Sequence, residues 1–184
     1  MQTLATKFVI GVGVVGAVAM SYGLVQQLIK SATLQTLNAS TVSVEQALMV
    51  AEGAIAECKK NNDIVTVAVV DSAGDVRFIL RGDGASQADV EAARRKAYTA
   101  RTFRSATSDW IERTSEEAVD EKGEKRDLIG QRFLENTIAE AGGMPLIWHG
   151  EAIGAVGVKG AKAGGTADEA CAKAGVAAIA DQLL

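Results

Sequence analysis

The chain has one histidine, one proline and two cysteines, and aromatic residues make up only 4% of its 184 positions. With a single histidine no multi-histidine metal site can form, and no G-x-S-x-G elbow or serine triad can be assembled, so hydrolase chemistry is disfavoured. Cys58 and Cys171 lie far apart and lack metal-ligand spacing. They are either a disulfide joining the first and last helices of an exported domain or two buried thiols, and the sequence leaves both open. Positive charge is also short: 19 Lys and Arg against 23 Asp and Glu give a net charge of -4, which argues against non-specific nucleic-acid binding. Few aromatics beside abundant alanine and 19 glycines point instead to small-residue helices packed closely on a sheet. At this length there is room for one ordinary core.

One long apolar run is present, Phe8–Met20, after a start whose only charge is Lys7. It falls short of the ~20 residues a spanning helix needs and carries the small-residue pattern Ala17-Val18-Ala19. Residues 1–30 therefore read as a secretory signal peptide or, with the helix extended through Leu24 and Val25 to Ile29, as an uncleaved membrane anchor. Either reading places the domain in the periplasm or outside the cell. Gly11-Val12-Gly13-Val14-Val15-Gly16 formally spells GxGxxG, but no acidic residue follows before Glu45 and no second strand follows either, so a dinucleotide site is not supported. Residues 31–41 are polar, threonine-rich and without periodicity, which reads as a linker, and the domain runs over 42–184.

Within that domain, Ser43 and Gln46 form a capping box, followed by a helical stripe of Val44, Ala47, Leu48, Ala51, Ile55 and Cys58. Ile64–Val70 and Val76–Leu80 read as a hairpin about the turn Asp71–Asp75. A helix over Ser86–Arg104 puts Val90, Ala93, Ala97 and Ala100 on one small-residue face, with Glu91 spaced to pair with Arg95. Thr107 and Ser108 read as caps of a short helix bearing Trp110. Leu128, Ile129, Phe133, Leu134, Ile138 and Ala141 predict a further helix stopped by Gly142-Gly143. Met144–Trp148 and Ala152–Val158 form a second hairpin about His149-Gly150, and Gly154 and Gly157 leave its second strand open to close approach by another element. Thr166 and Glu169 read as a capping box for a last helix reaching about Leu183. This order predicts an α+β domain, an antiparallel sheet covered by helices.

Two sets of residues carry candidate chemistry. Arg94, Lys96 and Arg101, with Tyr98 as a flat neighbour, are either a solvated helix face or a cationic wall for carboxylates. His149 at the hairpin tip is either a solvated turn residue or a metal ligand.

The segments TVAVVDSAGDVRFILRGDGA, RRKAYTARTF, ATS, GGMPLIWHGEAIGAVGVKGA and DEACAKAG, spread from Val42 to the C-terminus, resemble the GlcG/HbpS family of haem-binding proteins. The resemblance implies a profilin-like domain, assembly into a homo-oligomer, and an exported protein that sequesters, carries or senses haem. The same family includes gene products of glycolate utilisation and an accessory domain of corrinoid adenosyltransferases. Haem needs an apolar slot, cations for its propionates and an axial ligand. The threonine that ligates iron in some secreted relatives falls by motif on Thr107, with His149 as the other candidate, while Arg94, Lys96, Tyr98 and Arg101 would meet the ring and its propionates. One departure stands out. Where relatives often have a short loop rich in glycine, proline and leucine, this chain has the charged, proline-free span Ser115–Glu140, which reads as helical. It supports an alternative in which the fold serves as a membrane-anchored structural or interaction subunit without cofactor, and a corrinoid or small-molecule accessory domain is the remaining reading.

Overall fold

Ser43 fixes where the first helix begins, because its hydroxyl accepts the Gln46 N–H at 3.1 Å while Gln46 Oε1 accepts the Ser43 N–H at 3.0 Å. The computed structural model describes residues 41–183, so the leader or anchor, the glycine motif inside it and most of the linker lie outside the described residues. In chain order the elements are α1 (Val44–Lys59), β1 (Thr66–Asp71), β2 (Val76–Arg81), α2 (Gln87–Phe103), α3 (Thr107–Arg113), β3 (Gly143–Trp148), β4 (Glu151–Lys159) and α4 (Gly165–Ala177). Short 3-10 turns lie at Ile129–Phe133 and Ala180–Gln182.

The four strands form one sheet in the order β2-β1-β4-β3, with every neighbouring pair antiparallel. The two central strands are buried on both faces, which is why β1 reads as an unbroken apolar run and not as an alternation. Val67, Val69, Val156 and Val158 face α1 and α4, while Val70 and Ala155 meet Ala97 and Ala100 of α2 on the other face. The only proline, Pro145, lies in the edge strand β3, where its missing N–H interrupts no inner ladder.

Glycine decides how close the layers come. Gly143 and Gly157 are directly opposed across β3 and β4, and a Cβ on either would run into the α2 backbone, at Lys96 O and Ala93 O respectively. The α2 helix therefore rests on the strands themselves and not on a layer of side chains. On the other face a Cβ at Gly154 would come within 2.9 Å of Val42 Cγ1, and one at Gly175 within 2.6 Å of Val50 O, so α1 and α4 are in similarly close contact. Cys58 and Cys171 are joined across that α1–α4 interface with Cα atoms 5.5 Å apart, which resolves their pairing as a disulfide.

The His149-Gly150 turn is the two-residue type expected, with both residues at positive φ, +47° and +80°. Other expectations need correction. The helix predicted across Leu128–Ala141, and with it a helical Ser115–Glu140, is not formed. That span holds one isolated bridge, Val119 to Lys125, and the short 3-10 turn. Its apolar stripe is not buried as one face: Leu128, Ile129 and Ile138 are half-buried while Phe133 is 83% exposed and Leu134 52%, and a short helix without a buried face is not stable. Thr166 does not cap α4, whose N-cap is Gly164 at φ +80°, and Glu169 turns inward instead. The last helix ends at Ala177, short of Leu183. Neither Thr107 nor Ser108 caps α3, which starts after Ala106 without a side-chain cap. Glu91 pairs with Arg94, not Arg95.

Two stability changes follow. Replacing both Cys58 and Cys171 by serine opens a loop spanning 113 residues, and the loss in urea unfolding is expected to be about 4–5 kcal/mol, nearer the top of the range for disulfides. Gly157→Ala forces α2 off the sheet and is expected to cost at least ~1–3 kcal/mol in the same assay, whereas Gly130→Ala, with open space around it, should not.

Candidate functional site

Lys96 shares the buried arc of α2 with Ala93, Ala97 and Ala100, so its ammonium is carried under the helix and is fully buried. A charge there needs partners from every side. Nζ lies 2.8 Å from Asp168 Oδ2 at the start of α4 and donates to Val158 O at 3.0 Å, with Glu140 Oε2 at 3.8 Å. Burial pulls the Lys96 ammonium below the usual lysine pKa, and the hydrogen bond and charge of Asp168 oppose that shift. The second oxygen of Asp168 accepts the Ala161 N–H at 2.9 Å. At the rim, Lys159 donates to Glu140 at 2.8 Å, which lowers the carboxyl pKa and raises that of the ammonium.

The chain can pass this pair only as glycine. Gly142 has φ +125°, and a Cβ on it would lie 2.9 Å from Lys96 Nζ and 2.8 Å from Asp168 Cβ. One residue on, the Gly143 N–H donates to Thr107 Oγ1 at 2.9 Å, and Thr107 is fully buried. Next to it Ser108 donates its hydroxyl to Glu169 Oε1 at 2.9 Å, and Glu169 is also 3.0 Å from Lys173. Lys96, Thr107-Ser108, Gly142-Gly143 and Asp168-Glu169 thus make one polar junction that ties α2, α3, β3 and α4 together. Its groups are satisfied by one another, so its chemistry is positional.

The cationic wall expected on α2 does not assemble. Lys96 is inside the junction. Arg94 is held by Glu91 at 2.7 Å and Asn136 Oδ1 at 2.8 Å. Arg101 donates through Nη2 to Ser72 O, leaving its buried Nε without a partner, and Tyr98 lies over Gly74. Arg95 is bound to Thr137 O. The two sequence candidates for a metal ligand are also separated: Thr107 sits against the first residue of β3 and His149 lies just past its last, about 20 Å of extended strand apart. Among the described residues no group of three or more His, Cys, Asp or Glu side chains is placed to hold a metal ion.

His149 belongs to the other end of the sheet. Asp71 is paired with Gly154, so the β1–β2 and β3–β4 turns lie at the same end, beside the C-terminus of α2. There Arg104, in the left-handed region at φ +52°, reaches Glu151 at 2.5 Å. The His149 imidazole is exposed, edge-on to the Trp148 ring with centroids 4.3 Å apart. Nothing stands within 4 Å of the Cβ position at Gly150. The arrangement offers one open nitrogen donor, an aromatic side wall and an exposed cation.

Asp168 and Glu169 were missed as site residues because they fit a helix start. The available signal was Lys96 itself, a lysine at i+3 from Ala93 and i-4 from Ala100 on the apolar arc, which demands a buried acid. Removing it should be costly: Lys96→Ala leaves Asp168 buried and unpaired, and about 3–5 kcal/mol of stability should be lost in denaturant unfolding. The pH dependence has a definite sign. Because the folded-state pKa of Lys96 lies below the unfolded value near 10.5, the unfolded chain holds this proton more tightly. Stability of the parent protein relative to Lys96→Met should therefore rise with pH between the depressed folded pKa and 10.5, and a falling difference across that window would refute the assignment.

No protein of curated function matches the sequence. Among solved structures, a double mutant of HbpS from Streptomyces reticuli is 31% identical, with 76% of this chain and 88% of that one covered at a TM-score of 0.67. Protein ORFY of Klebsiella pneumoniae is 26% identical over 78% and 93% of the two chains, TM-score 0.65. PduOC, solved as a heme complex, is 23% identical over 76% and 95%, TM-score 0.64, a likeness of fold. The family described as haem-degrading protein HbpS-like matches residues 42–177, and the chain belongs to that family.

Proposed function

We propose that this protein binds haem at the hairpin end of its sheet, where His149 would hold the iron, and that it sequesters, carries or senses haem outside the cytoplasm. The observation that carries the reading is the exposed imidazole of His149, held on a tight two-residue turn beside Trp148. Family membership supports it, as does the sharing of this fold with PduOC in its heme complex. Of the two candidate ligands, His149 fits the chemistry and Thr107 does not. The Thr107 hydroxyl is fully buried and already accepts the Gly143 N–H, so an iron could reach it only by breaking the junction. Bound haem supplies an iron centre. The residues of this chain that would hold it are the imidazole of His149, the indole of Trp148 beside it, and Arg104, whose side chain is 56% exposed and would pair with a propionate in place of Glu151. A ligand held this openly exchanges readily, which suits handover or sensing.

Export accords with the disulfide, since such bonds persist in oxidising compartments, and with the apolar run Phe8–Met20. Residues 1–30 then act as a signal peptide or as an anchor that keeps the domain at a membrane, and the mature protein works as a homo-oligomer. One observation favours the cofactor-free alternative of a structural or interaction subunit. The segment 115–140 engages Arg94 and Arg95 through Asn136 and Thr137, which removes two cations that a haem would use.

Haemin titration of the full chain, followed by Soret absorbance, separates these readings. Saturable binding is expected in the parent, weakened about tenfold or more in His149→Ala and retained in Thr107→Ala despite that variant's lower stability. Loss in Thr107→Ala alone would move the ligand to the junction. No saturable binding in the parent would leave the interaction subunit as the function.

A further inference from the structure

Ser43, Gln46 and Met49 follow one another at three-residue steps from the N-cap of α1, so their side chains rise along one line of the helix surface. A chain of hydrogen bonds runs up that line by way of Gln182. Gln46 is fixed first, through the capping box with Ser43. Its Nε2 then donates to Gln182 Oε1 at 3.1 Å, and Gln182 Nε2 donates in turn to Met49 Sδ at 3.8 Å. Gln182 closes the 3-10 turn Ala180–Gln182, so this chain of bonds fastens the C-terminal turn to the start of α1. At the far end of the same helix the Cys58–Cys171 disulfide fastens α1 to α4.

The last link is the weak one. A thioether sulfur is a poor acceptor, and every other acceptor in the chain of bonds is an oxygen. The two methionines among the described residues also differ in setting. Met49 is 39% exposed and stands outside the apolar core, whereas Met144 is half-buried in β3 and packs against that core. Oxygen added to Met144 would press a polar group against apolar side chains. Oxygen added to Met49 enters water and meets a donor already in place.

We propose that Met49 is an oxidation site and that its sulfoxide tightens the clasp between the C-terminal turn and α1. The oxidant is a hydroperoxide. A sulfur lone pair attacks the outer peroxide oxygen, an S–O bond forms as the O–O bond breaks, and the hydrogen on the transferred oxygen leaves with the departing oxygen as water or an alcohol. Sulfur gives up two electrons and the peroxide takes them up. The sulfoxide oxygen is a stronger acceptor than the thioether, so Gln182 Nε2 gains a full hydrogen bond where it had a weak contact. Enzymatic reduction to the thioether loosens the clasp again. The modification is thus reversible and peroxide-sensitive, and it rests on neither the haem reading nor the homo-oligomer reading.

The test treats the full chain in a mild detergent with limiting hydrogen peroxide, locates the added oxygen by peptide mass spectrometry and follows amide hydrogen exchange in the C-terminal turn. Met49 should be oxidised at least about fivefold faster than Met144. In the oxidised parent the Gln182 and Leu183 amides, which donate to Ile179 O and Ala180 O, should exchange about two- to tenfold more slowly. Treatment with methionine sulfoxide reductases should restore the original rate. The slowing should vanish in Met49→Leu, which takes up no oxygen at that position, and in Gln182→Ala, which is still oxidised at Met49 but has lost the donor; both positions are exposed. Equal oxidation of the two methionines would overturn the site. Unchanged or faster exchange in the oxidised parent, or slowing that persists in either variant, would overturn the clasp.

Discussion

The buried ion pair of Lys96 and Asp168 is the constraint to which most of this fold answers. An ammonium without water must be met by a carboxylate and by backbone carbonyls, and here these come from α4 and the end of β4. The segment entering β3 then has to thread between the two charges, which only glycine at positive φ can do. Its next N–H falls on Thr107, and that sets where α3 starts. A pair of this kind adds little net stability over an apolar filling of the same shape, but it penalises every arrangement in which the four elements do not meet. Its effect is on register.

Close approach is the second constraint, and it acts on both faces of the sheet. Under α2 the opposed glycines of β3 and β4 bring helix backbone onto strand backbone, which shortens the distance Lys96 must reach. On the other face α1 and α4 meet through Gly53, Gly175 and small side chains. Such an interface buries few large side chains and gains correspondingly little from the transfer of apolar surface. The Cys58–Cys171 bond compensates by restricting the unfolded chain.

How much of this was legible in the sequence depends on where each pattern is resolved. The two hairpins, the tight turn at His149-Gly150, the capping box at Ser43 and the openness of Gly154 and Gly157 are local signals, and the structure bears them out. Thr166 with Glu169 looked equally local, yet Glu169 has a stronger partner in Ser108, 61 positions away. The helical spacing from Leu128 to Ala141 failed for a similar reason: an amphipathic stripe specifies a helix only when one surface covers all of it, and here Phe133 and Leu134 are left in water. Of the candidate site residues, only His149 stands open where the sequence placed it. Lys96 and Thr107 were recognised as special residue types but not as buried ones, since neither Asp168 nor Gly143 is near them in the chain.

The charged segment after α3 links the two functional questions. By capturing Arg94 and Arg95 it closes the outer face of α2 to an anionic ligand, so any haem site must draw its cations from elsewhere, and the exposed one at the hairpin end is Arg104, paired there with Glu151. The same hydrogen bonds that capture those arginines stiffen the segment enough to hold an aromatic ring out in water. A flexible loop would fold such a ring back against the protein, because exposed apolar area is unfavourable and a mobile chain can relieve it. The ring stays exposed because its support is braced. The segment thus decides which cations of α2 remain open to water, and it does so through Asn136 and Thr137.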